Sequence, residues 1–579
     1  MFVSISRRVL VALTIAAILQ TAAVRAEMRT WTDITGKFSV EAELVEVKDG
    51  KAVLKKTSGE NVAVPIEKLS KADQEFLQQS DQSNESELNL TLPNAMTEPP
   101  EWLASDPGVP FDLNEFFKVP PQEENAAPLY IKAMAESNLR LALHVRGLER
   151  ESEEGQAFLE EPRRRSRAAS KFWIKFYDYE DEPTEHPEPP ASEAMAVMGP
   201  FDQTTQMLLE AQNRNQCVFQ VDRTWDGVRT FDLPLMMEVR AYYALKAGNV
   251  EAVLQYFQIE LRFSRDLQPR GELSRQLTAS RHAHYACVDP ESTDSSGYIS
   301  VANRLLASDF LTVAHCDRWI QLLQQHLDEQ GDYFVDQCCA DYIIRRGILH
   351  DLQSGEYRQI MKEFDMRVPP TGPNPYVYLK DISLSLWSDS PERLHPLLSK
   401  AQGPPSPAGE EARLKYSQKL ASMRDSDYQR EIAALNKCYK NLLALGELPI
   451  RERIEQVAKV REPLLDTDVA IWLAPNTNRH ILEKPLVSDT NVYGTLCLVA
   501  MKRLQLENGA PPTDLAAALK AAGIDEIPID PFTDEPLRTA DVDGKLVVYS
   551  VGTDVIDDGG TVLYDYQKKQ GDFVFKLPN

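Results

Sequence analysis

Residues Pro234–Leu267 read PLMMEVRAYYALKAGNVEAVLQYFQIELRFSRDL, two amphipathic runs meeting at Gly248-Asn249. Val250, Val253, Leu254, Phe257 and Leu261 recur at the spacing of one helix face, as do Leu235, Val239 and Tyr242. Gly and Asn tolerate the left-handed conformation that stops one helix and starts the next, so this stretch predicts a helical hairpin. A lone hairpin cannot bury both its faces. The surrounding chain, from about Glu124 to Leu506, therefore has to supply further helices.

At 579 residues the chain is long enough for roughly three or four domains. Lys and Arg total 63 against 88 Asp and Glu, a formal charge of −25. Long-range repulsion then disfavours nucleic acid and anionic membrane as partners. Near the start, Arg7-Arg8 precede an apolar run over Val9–Ile18, and Val24-Arg25-Ala26 ends in small-residue cleavage chemistry. Residues 1–26 thus have the form of a signal peptide, which predicts export to a periplasmic or extracellular address. No later window has the length and apolarity of a spanning helix, so stable membrane insertion is not expected. The seven cysteines (217, 287, 316, 338, 339, 438 and 497) are too sparse for a stapled scaffold. They read as buried small hydrophobes, with room for one long-range disulfide whose pairing the sequence leaves open.

Over residues 27–77 the texture is extended. Phe38, Val40, Ala42 and Leu44 alternate, and Val45 and Val47 then shift the phase as a bulge would. Asp49-Gly50 and Ser58-Gly59 are turn signals, Val62, Val64 and Pro65 end the sheet, and Ser70 with Asp73 starts a short helix. Short twisted strands in so few residues predict a small barrel. The run RTWTDITGKFSVEAELVEVKDGKAVLKKTSGENVAVPIEKLSKADQEFL closely resembles the Sla homology domain, with Trp31, Gly36, Phe38, the Asp49-Gly50 turn and the Val64-Pro65 to Leu69-Ser70 exit in place. The resemblance implies an SH3-like fold that takes Asn-Pro-Phe-x-Asp peptides, as in an endocytic adaptor. It also implies a likeness to exported planctomycete-type proteins carrying such a module after a leader. Trp31, Lys51 and Lys55 are the expected peptide-contact residues.

Residues 78–123, rich in Ser, Asn, Pro and acids, read as a flexible linker. The body, 124–490, is an irregular helical array. Its Gly248-Asn249 hairpin is similar to one tetratricopeptide unit, but no regular 34-residue recurrence follows. Metal and nucleophile motifs such as His-Glu-x-x-His and Gly-x-Ser-x-Gly are missing. The densest cluster is His282, His284 and Cys287; only His284 and Cys287 share a helix face, and His315-Cys316 would have to pack beside them to complete a zinc set.

Residues 491–579 begin with a helix over Val492–Leu506 and turn extended at IPIDPFTDEPLRTADVDGKLVVYSVGTDVIDDGG, with a hairpin turn at Asp543-Gly544. Asp530-Pro531-Phe532, Tyr549–Asp554 and Asp557-Asp558-Gly559-Gly560 carry a resemblance to the head of type II secretion pseudopilins. That family's equivalent loop binds calcium, which implies Ser550, Asp554, Asp557 and Asp558 as ligands for Ca²⁺.

Together these readings predict a multidomain, mainly α protein: a small SH3-like β-barrel, an irregular helical body and a small α+β C-terminal module. The expected function is that of an exported, non-enzymatic binding or scaffold protein whose barrel recognises a peptide or protein. The alternative is an exported hydrolase with its active site in a groove of the helical body.

Overall fold

The computed structural model describes residues 28–34, 38–48, 51–56, 61–71, 73–74, 88–92, 95–136, 138–150, 152–181, 185–222, 232–271, 279, 282–290, 300–363, 407–475, 479–565 and 568–578. The proposed leader and the Asp49-Gly50 and Ser58-Gly59 turns lie outside them. The chain divides into two compact units, Met1–Thr91 with Ile131–Ile174 and Leu92–Tyr130 with Lys175–Asn579.

In the first unit, β1 (Met28–Thr32), β2 (Ser39–Lys48), β3 (Lys51–Lys56) and β4 (Asn61–Pro65) form an antiparallel sheet in sequence order. Leu44 pairs with Leu54 but Glu46 with Val53, so Val45 is the extra residue of the expected bulge. Lys48 pairs with Lys51 at the end of the two strands. Inward-facing Trp31, Ala42, Ala52, Leu54 and Leu69 make the core, with Val40, Val62, Val64 and Ile66 around it. The exit segment returns to the end of β1. Leu69 bridges to Asp33, Ser70 N donates to Thr32 O at 2.7 Å, and Ile34 N donates to Lys68 O at 2.9 Å. Asp73 locks this closure by accepting from Thr32 N at 2.8 Å and Ser70 Oγ at 2.7 Å. Phe38 departs from the alternation read in the sequence: it precedes the first paired residue of β2 and is 74% exposed.

The helices in chain order begin with α1 (Glu101–Ala104), α2 (Leu113–Phe116), α3 (Ala127–Ala135), α4 (Leu139–Val145) and α5 (Glu153–Asp181). They continue with α6 (Ala191–Met198), α7 (Asp202–Ala211), α8 (Asp232–Lys246), α9 (Val250–Asp266), α10 (Val301–Ala307) and α11 (Val313–Glu329). Then come α12 (Phe334–Ser354), α13 (Tyr357–Glu363), α14 (Pro407–Ala421), α15 (Asp425–Ala444), α16 (Ile450–Gln456), α17 (Arg479–Asn508) and α18 (Leu515–Ala521). The protein is thus mainly helical, with a small antiparallel sheet near each end.

The expected hairpin is α8–α9. Gly248 takes a φ of +72°, and the Asn249 side chain caps α9 by accepting from Ala252 N at 3.1 Å. The Pro-rich stretch read as a flexible linker is packed from Leu92 onward. Ala95–Met96 (β5) pairs with Val221–Asp222 (β6), Phe111 meets Tyr342 edge-on at 5.6 Å, and Trp102 stacks on His350 at 5.0 Å. Aromatic side chains spaced among the prolines find the helical core, which composition alone does not reveal.

That core is held together by buried polar networks as well as apolar contact. Glu431 on α15, fully buried, accepts from the backbone N–H of Asp468, Val469 and Ala470 at 3.0, 3.0 and 2.9 Å. It caps the short 3-10 helix Ala470–Leu473, whose Trp472 donates to Tyr416 OH at 2.6 Å. All seven cysteines are free and buried, so no disulfide joins them.

The C-terminal helix is longer than the sequence suggests, starting at Arg479 and running through Pro485. Beyond it β7 (Arg538–Val542), β8 (Lys545–Ser550) and β9 (Phe573–Lys576) form an antiparallel sheet in sequence order. Asp543 and Gly544, at φ of +52° and +76°, make the expected two-residue turn. Gly494 faces Phe575 so closely that a Cβ would lie 2.5 Å from the ring. The expected division at 490/491 therefore falls inside α17.

Candidate binding sites

Alternation along β3 sorts its side chains cleanly. Ala52 and Leu54 point into the core, while Lys51 and Lys55 are exposed and Val53 sits half-buried between them. Four residues of strand separate the two ammonium groups' backbones by about 13 Å. On β4 the exposed Ala63 pairs with Val53, and Asn61 and Pro65 pair with Lys55 and Lys51. The result is an outer face on which Lys51 and Lys55 flank Val53, with Lys48, Glu46 and Glu43 of β2 set opposite Lys51, Val53 and Lys55 by the register. Trp31, the third expected contact residue, lies on the other side of the sheet. It is 2% exposed and donates from Nε1 to Ala42 O at 3.0 Å, so it shapes this face from within. Ile34 and Phe38, which sequence reasoning did not single out for contact, are 67% and 74% exposed beside the β1–β2 connection.

In the C-terminal module three of the four expected calcium ligands, Ser550, Asp554 and Asp557, have side chains engaged by the protein itself. Ser550 Oγ donates to the buried Asp530 carboxylate at 2.9 Å, and the same carboxylate accepts from Phe532 N and Val551 N. Asp554 accepts from Ile556 N at 3.2 Å and Gly571 N at 3.0 Å. Asp557 accepts from Tyr549 OH at 3.1 Å and Gly559 N at 2.9 Å, and faces Arg538 Nε at 3.3 Å. Asp558 donates its backbone N–H to Asp572 at 3.5 Å. Among the described residues no three His, Cys, Asp or Glu side chains converge as ligands of an ion would. In this arrangement the Asp554 and Asp557 carboxylates act as turn-forming acceptors. Phe532 is buried and stacks on Phe573 at 6.0 Å.

Asp572 is the one carboxyl here that burial pushes up, to about 6, with the Gly560 and Asp558 amides opposing and the Asp558 and Asp557 charges reinforcing. Its folded value exceeds the unfolded one, so its protonated form is favoured by folding. The stability it contributes is full below about pH 4, is lost as pH rises towards about 6, and amounts to at most about 3 kcal/mol. Thermal melts across that window should show Asp572→Asn without this slope; a slope unchanged in the variant would assign it to other groups.

The His and Cys residues do not assemble. His282 is fully buried with Nδ1 at 2.5 Å from Glu260, a carboxyl that burial raises against the opposing effect of His282. His284 instead pairs with Asp289 at 2.8 Å, while His315 caps the start of α11 with Thr312 and faces Glu251 at 3.7 Å. Cys287 and Cys316 are buried, and burial raises both thiols to about 12, far from thiolate chemistry at neutral pH.

Comparison with known proteins places the recognisable part of the chain at its N-terminus. The family model for SLA1 homology domain 1, SHD1, matches residues 20–85. An actin cytoskeleton-regulatory complex protein sla1 of Sclerotinia sclerotiorum is 47% identical over 53 residues, 9% of this chain and 5% of that protein. The sla1 protein of Schizosaccharomyces pombe is 44% identical over 52 residues, 9% of this chain and 4% of that one. The SLA1 protein of Candida albicans is 45% identical over 51 residues, again 9% and 4%. The chain thus matches only about a twentieth of the length of these relatives. No solved structure matches. Among the described residues no helix is long and apolar enough to cross a membrane.

These findings correct several expectations. Relatives named for a regulatory complex of the actin cytoskeleton, an assembly of the eukaryotic cell interior, run against a cleaved export leader, a periplasmic or extracellular address, and an exported scaffold or hydrolase. The planctomycete-type context and the pseudopilin-like head likewise find no counterpart, since the matches stop with the N-terminal module. Of the family resemblances read from the sequence, the similarity to the SLA1 homology domain 1 is the one that stands.

Proposed function

We propose that residues 27–77 are a protein-recognition module and that the chain is an adaptor-type binding protein. The observation that carries this reading is the outer row Lys51–Val53–Lys55 with Ala63 beside it, on a stretch similar to SLA1 homology domain 1. An extended peptide laid along this row sets its carboxylates against the two ammonium groups and an apolar side chain over Val53. In a chain of formal charge −25, such a cationic row also favours acidic segments locally where the rest of the surface repels them. The resemblance supplies the peptide to try first, Asn-Pro-Phe-x-Asp.

The test uses the full chain and that peptide carrying a fluorophore, read by anisotropy. Lys51→Glu combined with Lys55→Glu is expected to weaken binding by at least about tenfold and to flatten its salt dependence. Both lysines are exposed, so the melting profile should not move. Unchanged affinity in the double variant, or an unbound peptide with the native chain, would remove this assignment.

A further inference from the structure

A cavity of about 290 Å³ opens in the helical unit where the α11–α12 turn, α16 and α17 meet. Leu482, Pro485, Asp489 and Tyr493 reach it from α17, spaced to share one helix face. Pro485 lacks the N–H that would close the ladder onto the carbonyl four residues earlier, which loosens the helix beside the space. Tyr333 and Phe334 bring two more rings, and Arg453 and Asp332 complete the polar lining.

The charges in this cavity are unequally committed. Arg453 donates from Nε to Leu448 O at 2.7 Å, from Nη2 to Gly446 O at 2.9 Å and from Nη1 to Asp332 at 2.9 Å, with a second contact from Nη2 to the same carboxylate. Its guanidinium also lies over the Phe334 ring at 4.8 Å. Burial alone would raise Asp332, but the Arg453 and Phe334 donors outweigh it and hold the carboxyl below its ordinary value. That pair is neutral overall and spent. Asp489 differs. Its Oδ1 accepts the Gln330 amide at 3.1 Å, and among the described residues no cation lies within ion-pair distance of it. Burial pushes this carboxyl up to about 7, the Gln330 donor opposing. Tyr493 is raised by burial and by the charges of Asp489 and Asp328.

We infer that this cavity is a binding site for a small organic ammonium ion, with Asp489 as its counter-ion and Tyr333, Phe334 and Tyr493 as the aromatic wall. An anion meets the Asp489 charge, and the Arg453 charge is already balanced by Asp332. A neutral guest leaves the carboxylate uncompensated. A compact cation gains both the ion pair and attraction to the ring faces, which together recognise ammonium groups. The site is separate from the N-terminal module, so peptide binding there and cation binding here succeed or fail independently.

The test titrates the full chain with tetramethylammonium chloride, with sodium chloride and neutral tert-butanol as controls, followed by calorimetry. Saturable binding of the cation is expected at about pH 8, weakening by roughly tenfold or more at about pH 5.5 as a proton competes for Asp489. The charged and titratable groups around it are Asp328, Asp332, Tyr333, Arg453 and Tyr493; the Asp332 carboxyl is held below its ordinary value and the Tyr333 and Tyr493 phenols are raised, so these three keep their charge across that window. Asp489→Asn should cost at least about tenfold in affinity at the higher pH. Leu482→Trp, which fills the cavity and leaves Asp489 in place, should abolish binding and serves if the first variant does not fold. Equal binding of tert-butanol, full affinity in either variant, or no saturable uptake by the folded native chain would overturn the assignment.

Discussion

Replacing Trp31 by Ala is expected to unfold the N-terminal module while leaving the helical transition where it is. The indole is the largest side chain among the five buried core residues described there, and its Nε1 ties β1 to the Ala42 carbonyl on β2. Truncating a buried Trp costs about 3–5 kcal/mol, and a domain of this size has about that much to lose. Limited proteolysis of the full chain should show new cuts within residues 28–74, and peptide binding should disappear together with them. Far-UV circular dichroism, dominated by the helices, should melt as in the native chain. Trp31→Phe, which keeps most of the volume and loses the hydrogen bond, should cost about 1–2 kcal/mol and retain binding. If Trp31→Ala stays protease-resistant, the module is stabilised by something other than its own core.

The second large effect is expected at Glu431. Ala at this position leaves the amides of Asp468, Val469 and Ala470 facing a buried void without an acceptor. Each stranded donor costs about 1–3 kcal/mol, and partial relaxation brings the sum to roughly 3–5 kcal/mol. The 3-10 turn that carries Trp472 would lose its anchor, and with it the contact to Tyr416. Glu431→Gln retains one acceptor oxygen and should cost about half as much. Denaturant unfolding of the full chain, followed at 222 nm as helical signal, measures both. A loss under about 1 kcal/mol for the Ala variant would mean that water reaches these amides and replaces the carboxylate.

Much of the local architecture could be read from the sequence because it is written locally. Gly248-Asn249 marks a helix junction through its own backbone preference, Val45 announces the bulge by breaking a two-residue period, and Asp543-Gly544 encodes its turn in two residues. The misreadings share a different origin. The helix read as Val492–Leu506 leaves Pro485 outside it, yet α17 runs through that proline from Arg479. The segment after Leu92 has a linker's composition, and its few aromatic residues decide its placement through partners more than 200 residues away. The lysine row was visible because strand alternation exposes it. The cavity was not, because Gln330, Asp332, Arg453 and Asp489 come from three distant stretches that no sequence period connects.

One consequence of α17 concerns how such a chain can be cut or recombined. Tyr493 faces the cavity while its neighbour Gly494 receives the Phe575 ring, so a single rod is wall to one feature and floor to the other. The terminal sheet cannot be grafted elsewhere without bringing this rod, and the rod cannot be removed without opening the cavity. Inheritance of the last hundred residues should therefore be all or nothing, with position 494 admitting no side chain in any descendant that keeps both.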